Sequence, residues 1–369
     1  MHSRPRIIDT TLREGGQTPG VSFTAVDRRT ILAGLAAVGV SEAEIGISAP
    51  LAGRHDDLVR HCRSHHPGMR LALWCRCRAE DIAWAGHCRP DILSLSIPVS
   101  DLHLGERLGK DRAWALAGMR ASIDQALQAG MAVAVGFEDA TRADMSFVLE
   151  MAGRAEEAGA CRIRLADTVG IASPAAMARL TREVMAVLRH AELAVHTHND
   201  FGMATANAVA ALEAGATWVD ATVMGLGERA GCARLEEVAA YLSLVLGVPG
   251  LATERLRPLA AFVAESQGLA IDPGQPVVGE RIFTCETGLH LQGLQVNPAT
   301  YEPYPPEAVG GQRRLLFGAK CGRRALMQRL AGLGHYPDAC GLERRLAAIR
   351  SGSAPESSPG DSAFLSAFC

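Results

Sequence analysis

Residues 132–166 read AVAVGFEDATRADMSFVLEMAGRAEEAGACRIRLA, and this stretch decides the fold. Two short apolar runs, Ala132–Phe137 and Arg162–Ala166, flank a longer amphipathic stretch, Met145–Ala158, that is typical of a helix. Gly159 follows that stretch, at the place where a left-handed residue commonly ends a helix. Strand, helix and strand in this order predict a βαβ unit with parallel strands.

The same alternation continues on both sides of this unit. Further strands are predicted at Arg6–Leu12, Glu42–Ser48, Leu71–Cys75, Ile92–Ile97, Leu193–His196 and Thr217–Val223. Further helices are predicted at Ala25–Val38, Asp111–Ala129, Pro174–Leu188, Ala204–Ala214 and Leu235–Leu246. Eight such units within about 250 residues are typical of a closed barrel. We therefore predict an α/β fold, a (β/α)8 TIM barrel over residues 1–248.

The pattern changes after the predicted barrel. Four prolines, Pro249, Pro258, Pro273 and Pro276, interrupt the chain, and the strand–helix rhythm stops. Residues 249–345 are predicted to form a mainly helical C-terminal extension that contributes to the active site. Arg350–Gly360 is rich in Ser, Pro and Gly, and residues 346–369 are predicted to be a disordered tail.

Composition excludes several classes of protein. The 369 residues are 48% hydrophobic and 21% charged, which is ordinary for a globular chain. A net charge of −3 gives no electrostatic case for nucleic acid as a partner. No apolar run reaches the ~18 residues of a membrane span, and the N-terminus does not resemble a signal peptide, so we expect a cytoplasmic protein.

The chain contains two lysines, Lys110 and Lys320, against 35 arginines. A Schiff-base lysine therefore has few candidates. If the protein forms or breaks a carbon–carbon bond next to a carbonyl, a metal ion is the favoured electrophile.

Polar residues follow the predicted strands at the end of a barrel where active sites lie. His196 and His198 are two residues apart, so on a strand they face the same side. Together with one carboxylate they are typical of a metal site with open positions. Glu14 is the favoured carboxylate, because strand 1 closes the barrel near strands 7 and 8.

Arg13 precedes Glu14 and is expected to alternate to the other side of its strand. Glu44 on the next strand is a candidate partner for Arg13. Two compatible interpretations remain open. The pair closes the barrel as a structural ion pair, or Glu44 holds Arg13 toward a developing oxyanion or a carboxylate.

The stretch Asp9–Gln17 reads DTTLREGGQ and resembles a signature of the alpha-isopropylmalate synthase/homocitrate synthase family. Three other stretches are similar to family motifs: HTHNDFG at 196–202, ADTVG at 166–170 and GLGERAG at 225–231. The resemblance extends from about Ile7 to about Gly322. Residues 73–76, 94–102 and 138–144 are most similar to homocitrate synthases of the nitrogen-fixation type.

The resemblance implies a condensation of acetyl-CoA with a 2-oxo acid, followed by thioester hydrolysis. It implies a divalent metal ion (Mg²⁺, Mn²⁺ or Zn²⁺) on Glu14, His196 and His198, with acetyl-CoA as co-substrate. Arg13 and Gln17 would act on the ketone oxygen, and Thr168 would bind the substrate carboxylate. For homocitrate synthases the oxo acid is 2-oxoglutarate, which carries a second carboxylate.

Further roles rest on the same resemblance. His290, in FTCETGLH at 283–290, matches the base that removes a proton from the acetyl group. Tyr301 matches a family tyrosine, and Glu138 matches a glutamate at the mouth of the site. In family members the extension reaches the barrel of a partner subunit, so a homodimer is expected. Arg76 is the candidate for the second carboxylate of 2-oxoglutarate, and a surface arginine is the alternative.

The chain departs from the family pattern at four places. Gly16 replaces a glutamate, Cys232 an asparagine and Cys285 a histidine. The loop Gly318-Ala319-Lys320-Cys321-Gly322 replaces Gly-Lys-His-Ser-Gly.

Other functions remain open at this point. They are a 2-isopropylmalate or citramalate synthase, a lyase similar to hydroxymethylglutaryl-CoA lyase, and a degenerate barrel without catalysis.

Overall fold

The computed structural model describes residues 4–50, 55–317, 320 and 322–351. The chain divides into two compact units, Met1–Ile271 and Asp272–Cys369. The barrel domain was predicted to end at residue 248, where the alternation of strands and helices stops. The first compact unit extends further, to Ile271, and includes one more helix.

The first unit contains a closed barrel of eight parallel strands in sequential order, β1 to β8. The strands are β1 Arg6–Asp9, β2 Glu42–Ile47, β3 Arg70–Arg76, β4 Ile92–Pro98, β5 Ala132–Glu138, β6 Arg162–Asp167, β7 Glu192–Thr197 and β8 Trp218–Ala221. Pairing of β1 with β8, from Arg6 opposite Trp218 to Asp9 opposite Ala221, closes the barrel. The predicted TIM barrel is confirmed.

Helices follow the strands around the barrel. They are α1 Ala25–Val38, α2 Asp56–His65, α3 Ala79–Cys88, α4 Arg112–Gln128, α5 Met145–Glu157, α6 Pro174–Val187, α7 Ala204–Glu213, α8 Leu235–Ala240 and α9 Leu256–Gln267. Thr24 and Asp27 form a capping box that begins α1, and Gly39 ends it in the left-handed region at φ 91°. A Cβ at Gly39 would lie 2.1 Å from the carbonyl oxygen of Gly250, so a side chain has no space there.

Ion pairs cross the inside of the barrel. Arg162 donates two hydrogen bonds to Glu42 at 2.8 and 2.9 Å, and its guanidinium lies over Trp218 at 4.1 Å. Because β2 and β6 are not neighbours in the barrel, this pair spans the interior. Two residues further along the same strands, Arg164 donates to Glu44 at 3.0 Å. The two-residue strand period thus stacks two charged layers beneath the active-site end.

The second unit has its own small core. It contains β9 Thr284–Cys285, which pairs with β10 Arg314–Leu315, and the helices α10 Gly288–Val296, α11 Arg323–Gly332 and α12 Ala339–Arg350. Leu291, Phe317, Leu326 and Leu346 are buried together. The helix α12 covers the first five residues of the segment predicted to be disordered, and residues 352–369 lie outside the described residues. Across the described part of the chain, the helices are too short or too polar to span a bilayer.

Candidate active site

Glu14, His196 and His198 meet at the carboxyl ends of the barrel strands. The Nε2 atoms of the two histidines are 3.2 Å apart. Glu14 places its carboxylate oxygens 3.8 Å from His196 Nε2 and 4.0 Å from His198 Nε2. All three side chains are almost fully buried. Two imidazole nitrogens facing each other beside a carboxylate form a donor set that fits a divalent cation.

The charge states of this cluster suit a cation. Burial would raise the pKa of Glu14, but Arg13 and the two histidines outweigh it and lower the pKa to about 2. Burial, together with His196, lowers the pKa of His198 to about 3. The carboxylate is therefore ionised and the imidazole neutral, which are the forms that bind metal.

Asp220 on β8 orients His196. Its Oδ2 accepts from His196 Nδ1 at 2.9 Å and from Arg164 Nη1 at 2.9 Å. Burial would raise the pKa of Asp220, but Arg164 and His196 lower it. A charged acceptor at Nδ1 fixes the tautomer that leaves Nε2 free to bind. Sequence reasoning missed both Asp220 and Arg164, although charged residues inside otherwise apolar strands were a usable signal.

Arg13 and Glu14 lie on the same side, contrary to the prediction that they alternate. The strand β1 already ends at Asp9, and the backbone N–H groups of Arg13 and Glu14 both donate to Thr10 O in a tight turn. Arg13 consequently forms an ion pair with Glu14 as well as with Glu44, whose Oε1 is 2.5 Å from Arg13 Nε. Burial would lower the pKa of Arg13, but these two carboxylates raise it.

A cavity of about 270 Å³ opens over the cluster. Gln17, Glu138 and Thr168 line it together with Arg13 and the three candidate metal ligands. With its amide turned to donate, Gln17 lies 3.1 Å from Glu14 Oε2. Thr168 Oγ1 accepts the backbone N–H of Asp139 at 2.8 Å, which fixes this hydroxyl at the rim.

Glu138 has a partner that the sequence did not indicate. Arg107 donates to both of its carboxylate oxygens, at 3.1 and 2.5 Å, and lines the same cavity. Arg107 ends a π-helical turn, His103–Arg107, beyond β4. An irregular turn of this kind has no sequence signal, so the residue could not be placed in advance.

Arg76 lies outside this cavity. It donates two hydrogen bonds to Asp81, at 2.7 and 3.0 Å, and lines an adjoining cavity of about 420 Å³. Trp74, Arg107 and Glu138 line both cavities.

His290 and Tyr301 belong to the second unit, where they contact each other. His290 lies on α10, and its ring stacks on that of Tyr301 with centroids 4.1 Å apart. Cys285 is half-buried on β9, and burial raises the pKa of its thiol.

The remaining departures from the family pattern lie in different surroundings. Gly16 is exposed in the turn Gly15–Gln17, and a Cβ there would lie in open space. Cys321, Gly318 and Ala319 are outside the described residues. Cys232 is buried against His198, with its Sγ 3.9 Å from His198 Nδ1, so this substitution lies within the candidate metal site.

Comparison with known proteins agrees with this architecture. The profile of the HMGL-like family matches residues 4–263, and the homocitrate synthase post-HMGL domain-like profile matches residues 277–354. A homocitrate synthase of Frankia alni is 46% identical over 331 residues, which cover 89% of this chain and 93% of the relative. The 2-isopropylmalate synthase 2 of Caldanaerobacter subterraneus subsp. tengcongensis is 38% identical, over 89% of this chain and 85% of the relative.

Among solved structures, the HMG-CoA lyase of Bacillus subtilis superposes with a TM-score of 0.64 at 20% identity, covering 73% of this chain and 95% of that one. At this identity the likeness shows the fold alone. The chain belongs to the HMGL-like family of barrel proteins. Within it, the chain is an enzyme of the homocitrate synthase group and its condensing relatives, as the signature at Asp9–Gln17 indicated.

Proposed function

We propose that this protein synthesises homocitrate from acetyl-CoA and 2-oxoglutarate. The observation that carries the proposal is the cluster of Glu14, His196 and His198 beside Arg13, in a chain 46% identical to a homocitrate synthase. The acetyl methyl carbon loses a proton and bonds to the ketone carbon, whose oxygen takes up a proton. Water then adds to the thioester, the carbon–sulfur bond breaks, and the thiol of CoA leaves with a proton.

Glu14, His196 and His198 would hold a divalent metal ion, which when bound supplies Lewis-acid polarisation of the oxo acid. Arg13, fixed by Glu44, donates to the ketone oxygen as negative charge develops there. Gln17 is proposed to assist Arg13 at the ketone oxygen, and Thr168 is proposed to bind the substrate carboxylate.

The proton of the acetyl group is proposed to go to His290, whose ring Tyr301 supports by stacking. Glu138, held by Arg107, is proposed to act at the mouth of the site. These roles and the homodimer come from the family resemblance, as does the expectation that one subunit's extension serves its partner's barrel. We also propose that the protein works in the cytoplasm.

The lining of the cavity supports a dicarboxylate as substrate. Apart from Trp74, Gly136 and Ala166, the described residues that line it are polar or charged. A branched aliphatic oxo acid would need an apolar pocket, which this lining does not offer. Arg76, which pairs with Asp81, and Arg107, which pairs with Glu138, line the adjoining cavity together, and we propose both as cations for the second carboxylate.

The test is release of free thiol from acetyl-CoA with a panel of 2-oxo acids at one fixed metal concentration. We expect 2-oxoglutarate to give the highest kcat/KM, ahead of pyruvate and 3-methyl-2-oxobutanoate. The control without oxo acid corrects for simple thioester hydrolysis. Preference for the branched acid would contradict the choice of substrate, and no thiol release with any of the acids would contradict the synthase function.

A further inference from the structure

Cys232 lies among the candidate metal ligands. One donor atom each of Glu14, His196, His198 and Cys232 can be chosen so that all four lie within 4.8 Å of one another. All four side chains are buried. The cluster thus contains a sulfur donor in addition to the carboxylate and two imidazoles.

The backbone holds Cys232 in this position. It forms an antiparallel bridge with His198, and its N–H donates to Gly225 O at 3.0 Å. Gly231 precedes it at φ 85°, where a Cβ would lie 1.9 Å from Gly225 O. The loop from Gly225 to Gly231 therefore folds back tightly and returns Cys232 to the cluster.

Gly227 leaves room for the sulfur. A Cβ at this residue would lie 2.9 Å from Cys232 Sγ and 3.4 Å from Glu14 Oε1. A side chain there would displace either the thiol or the carboxylate. The space between the loop and Glu14 is therefore occupied by the sulfur.

We propose that Cys232 is a direct ligand of the metal ion, which gives the site one carboxylate, two imidazoles and one thiolate. A thiolate favours borderline and soft cations, so the site takes Zn²⁺ or Co²⁺ in preference to Mg²⁺ or Mn²⁺. This inference rests on the proposed metal-dependent function, and it adds the class of metal that the site selects.

The first test uses the wild-type protein loaded with Co²⁺ or Zn²⁺. Ligation by Cys232 predicts a near-ultraviolet thiolate-to-cobalt charge-transfer band. It also predicts a zinc–sulfur distance of about 2.3 Å in X-ray absorption. A bound ion with only nitrogen and oxygen neighbours would overturn the inference, and this measurement needs no variant.

The second test compares Cys232→Ser and Cys232→Asn with Cys62→Ser, which alters a buried thiol on α2. Loss of the sulfur ligand should remove the cobalt band and weaken Zn²⁺ binding at least about tenfold, with a smaller change for Mg²⁺. The Cys62 variant should keep both properties. Equal Zn²⁺ affinity of the Cys232 variants and the wild type would refute ligation.

The two proposals fail in different ways. A cobalt protein with the thiolate band but no thiol release with any oxo acid supports the ligand and refutes the synthase. An active synthase whose metal has no sulfur neighbour refutes the ligand alone. A protein that binds no divalent ion refutes both.

Discussion

The Asp220→Asn variant tests whether a buried carboxylate behind His196 sets the metal affinity. Asp220 Oδ2 accepts from both His196 Nδ1 and Arg164 Nη1 at 2.9 Å. Asparagine keeps the size of the side chain and one acceptor oxygen but removes the charge. Its amide can also donate, so the tautomer of His196 is no longer fixed.

The expected loss follows from that geometry. Replacing a partner behind a metal-binding histidine typically lowers metal affinity by about 10–100-fold. That range corresponds to roughly 1.4–2.7 kcal/mol of binding free energy. Arg164 keeps Glu44 Oε2 at 3.0 Å, so its charge stays paired. We therefore expect an unfolding free energy lowered by only about 1–3 kcal/mol, the cost of one poorly satisfied buried group.

The assay is competition for Zn²⁺ or Co²⁺ between the folded protein and a coloured chelator, with urea unfolding of the metal-free protein measured separately. Glu192→Gln is the control, because Glu192 begins β7, the strand that carries His196, and accepts from Trp218 Nε1 at 2.7 Å at the opposite end of the barrel. It should leave metal affinity unchanged. If the metal affinity of Asp220→Asn lies within about twofold of the wild-type affinity, the charge of Asp220 does not set the metal affinity.

Three further predictions follow from other contacts. Burial raises the pKa of Asp9 from 3.8 to about 7, so the folded chain keeps a proton that the unfolded chain releases. The protonated carboxyl therefore contributes its full stabilisation below pH 3.8, and this contribution falls as the pH rises to about 7. In Asp9→Asn, the unfolding free energy measured with urea should depend less on pH between these two values. Arg107→Ala removes the bidentate partner of Glu138 and should lower kcat/KM about tenfold in the thiol-release assay, with Arg107→Lys recovering only part of it. Glu42→Ala leaves the buried Arg162 unpaired and should lower the unfolding free energy by about 3–5 kcal/mol in urea, and adding Arg162→Met should restore most of it.

Each of these predictions has a contrary outcome. A pH profile of Asp9→Asn parallel to that of the wild type would mean that Asp9 titrates alike in the folded and unfolded chain. Full activity of Arg107→Lys would mean that a point charge suffices beside Glu138. Equal stability of the Glu42 single variant and the double variant would mean that solvent reaches Arg162.

The barrel itself could be predicted from the sequence because its signal repeats eight times. The strands β2 to β7 begin and end within one residue of the predicted bounds, since buried β-branched runs alternate sharply with amphipathic helices. The ends of β1 and β8 were placed less well. Residues 10–14 contain no proline, and Thr10, Thr11 and Leu12 favour a strand. The chain instead turns at Thr10, whose carbonyl accepts three consecutive backbone N–H groups.

The relative placement of site residues could be predicted from the sequence on regular strands, and in turns and loops it could not. His196 and His198 were predicted because the two-residue strand period requires them to converge. The pairing of Arg13 with Glu14 was not, because period-two alternation does not apply in a turn. Cys232 could be recognised as a departure, but its position beside His198 depends on the fold-back of the loop at Gly231.

Two of the 35 arginines, Arg162 and Arg164, have contacts inside the barrel that lysine would not reproduce. Arg162 holds Glu42 with two parallel N–H donors, and Arg164 Nη1 bridges carboxylates on two other strands, Glu44 and Asp220. A lysine ammonium is a point charge that cannot reproduce the planar, bidentate geometry, and its desolvation costs more. Glu44 also pairs with Arg13, and Asp220 also pairs with His196. Arg164 therefore neutralises the two carboxylates that orient residues of the site. The buried arginines therefore support the cation-binding cluster through the carboxylates that they share with it.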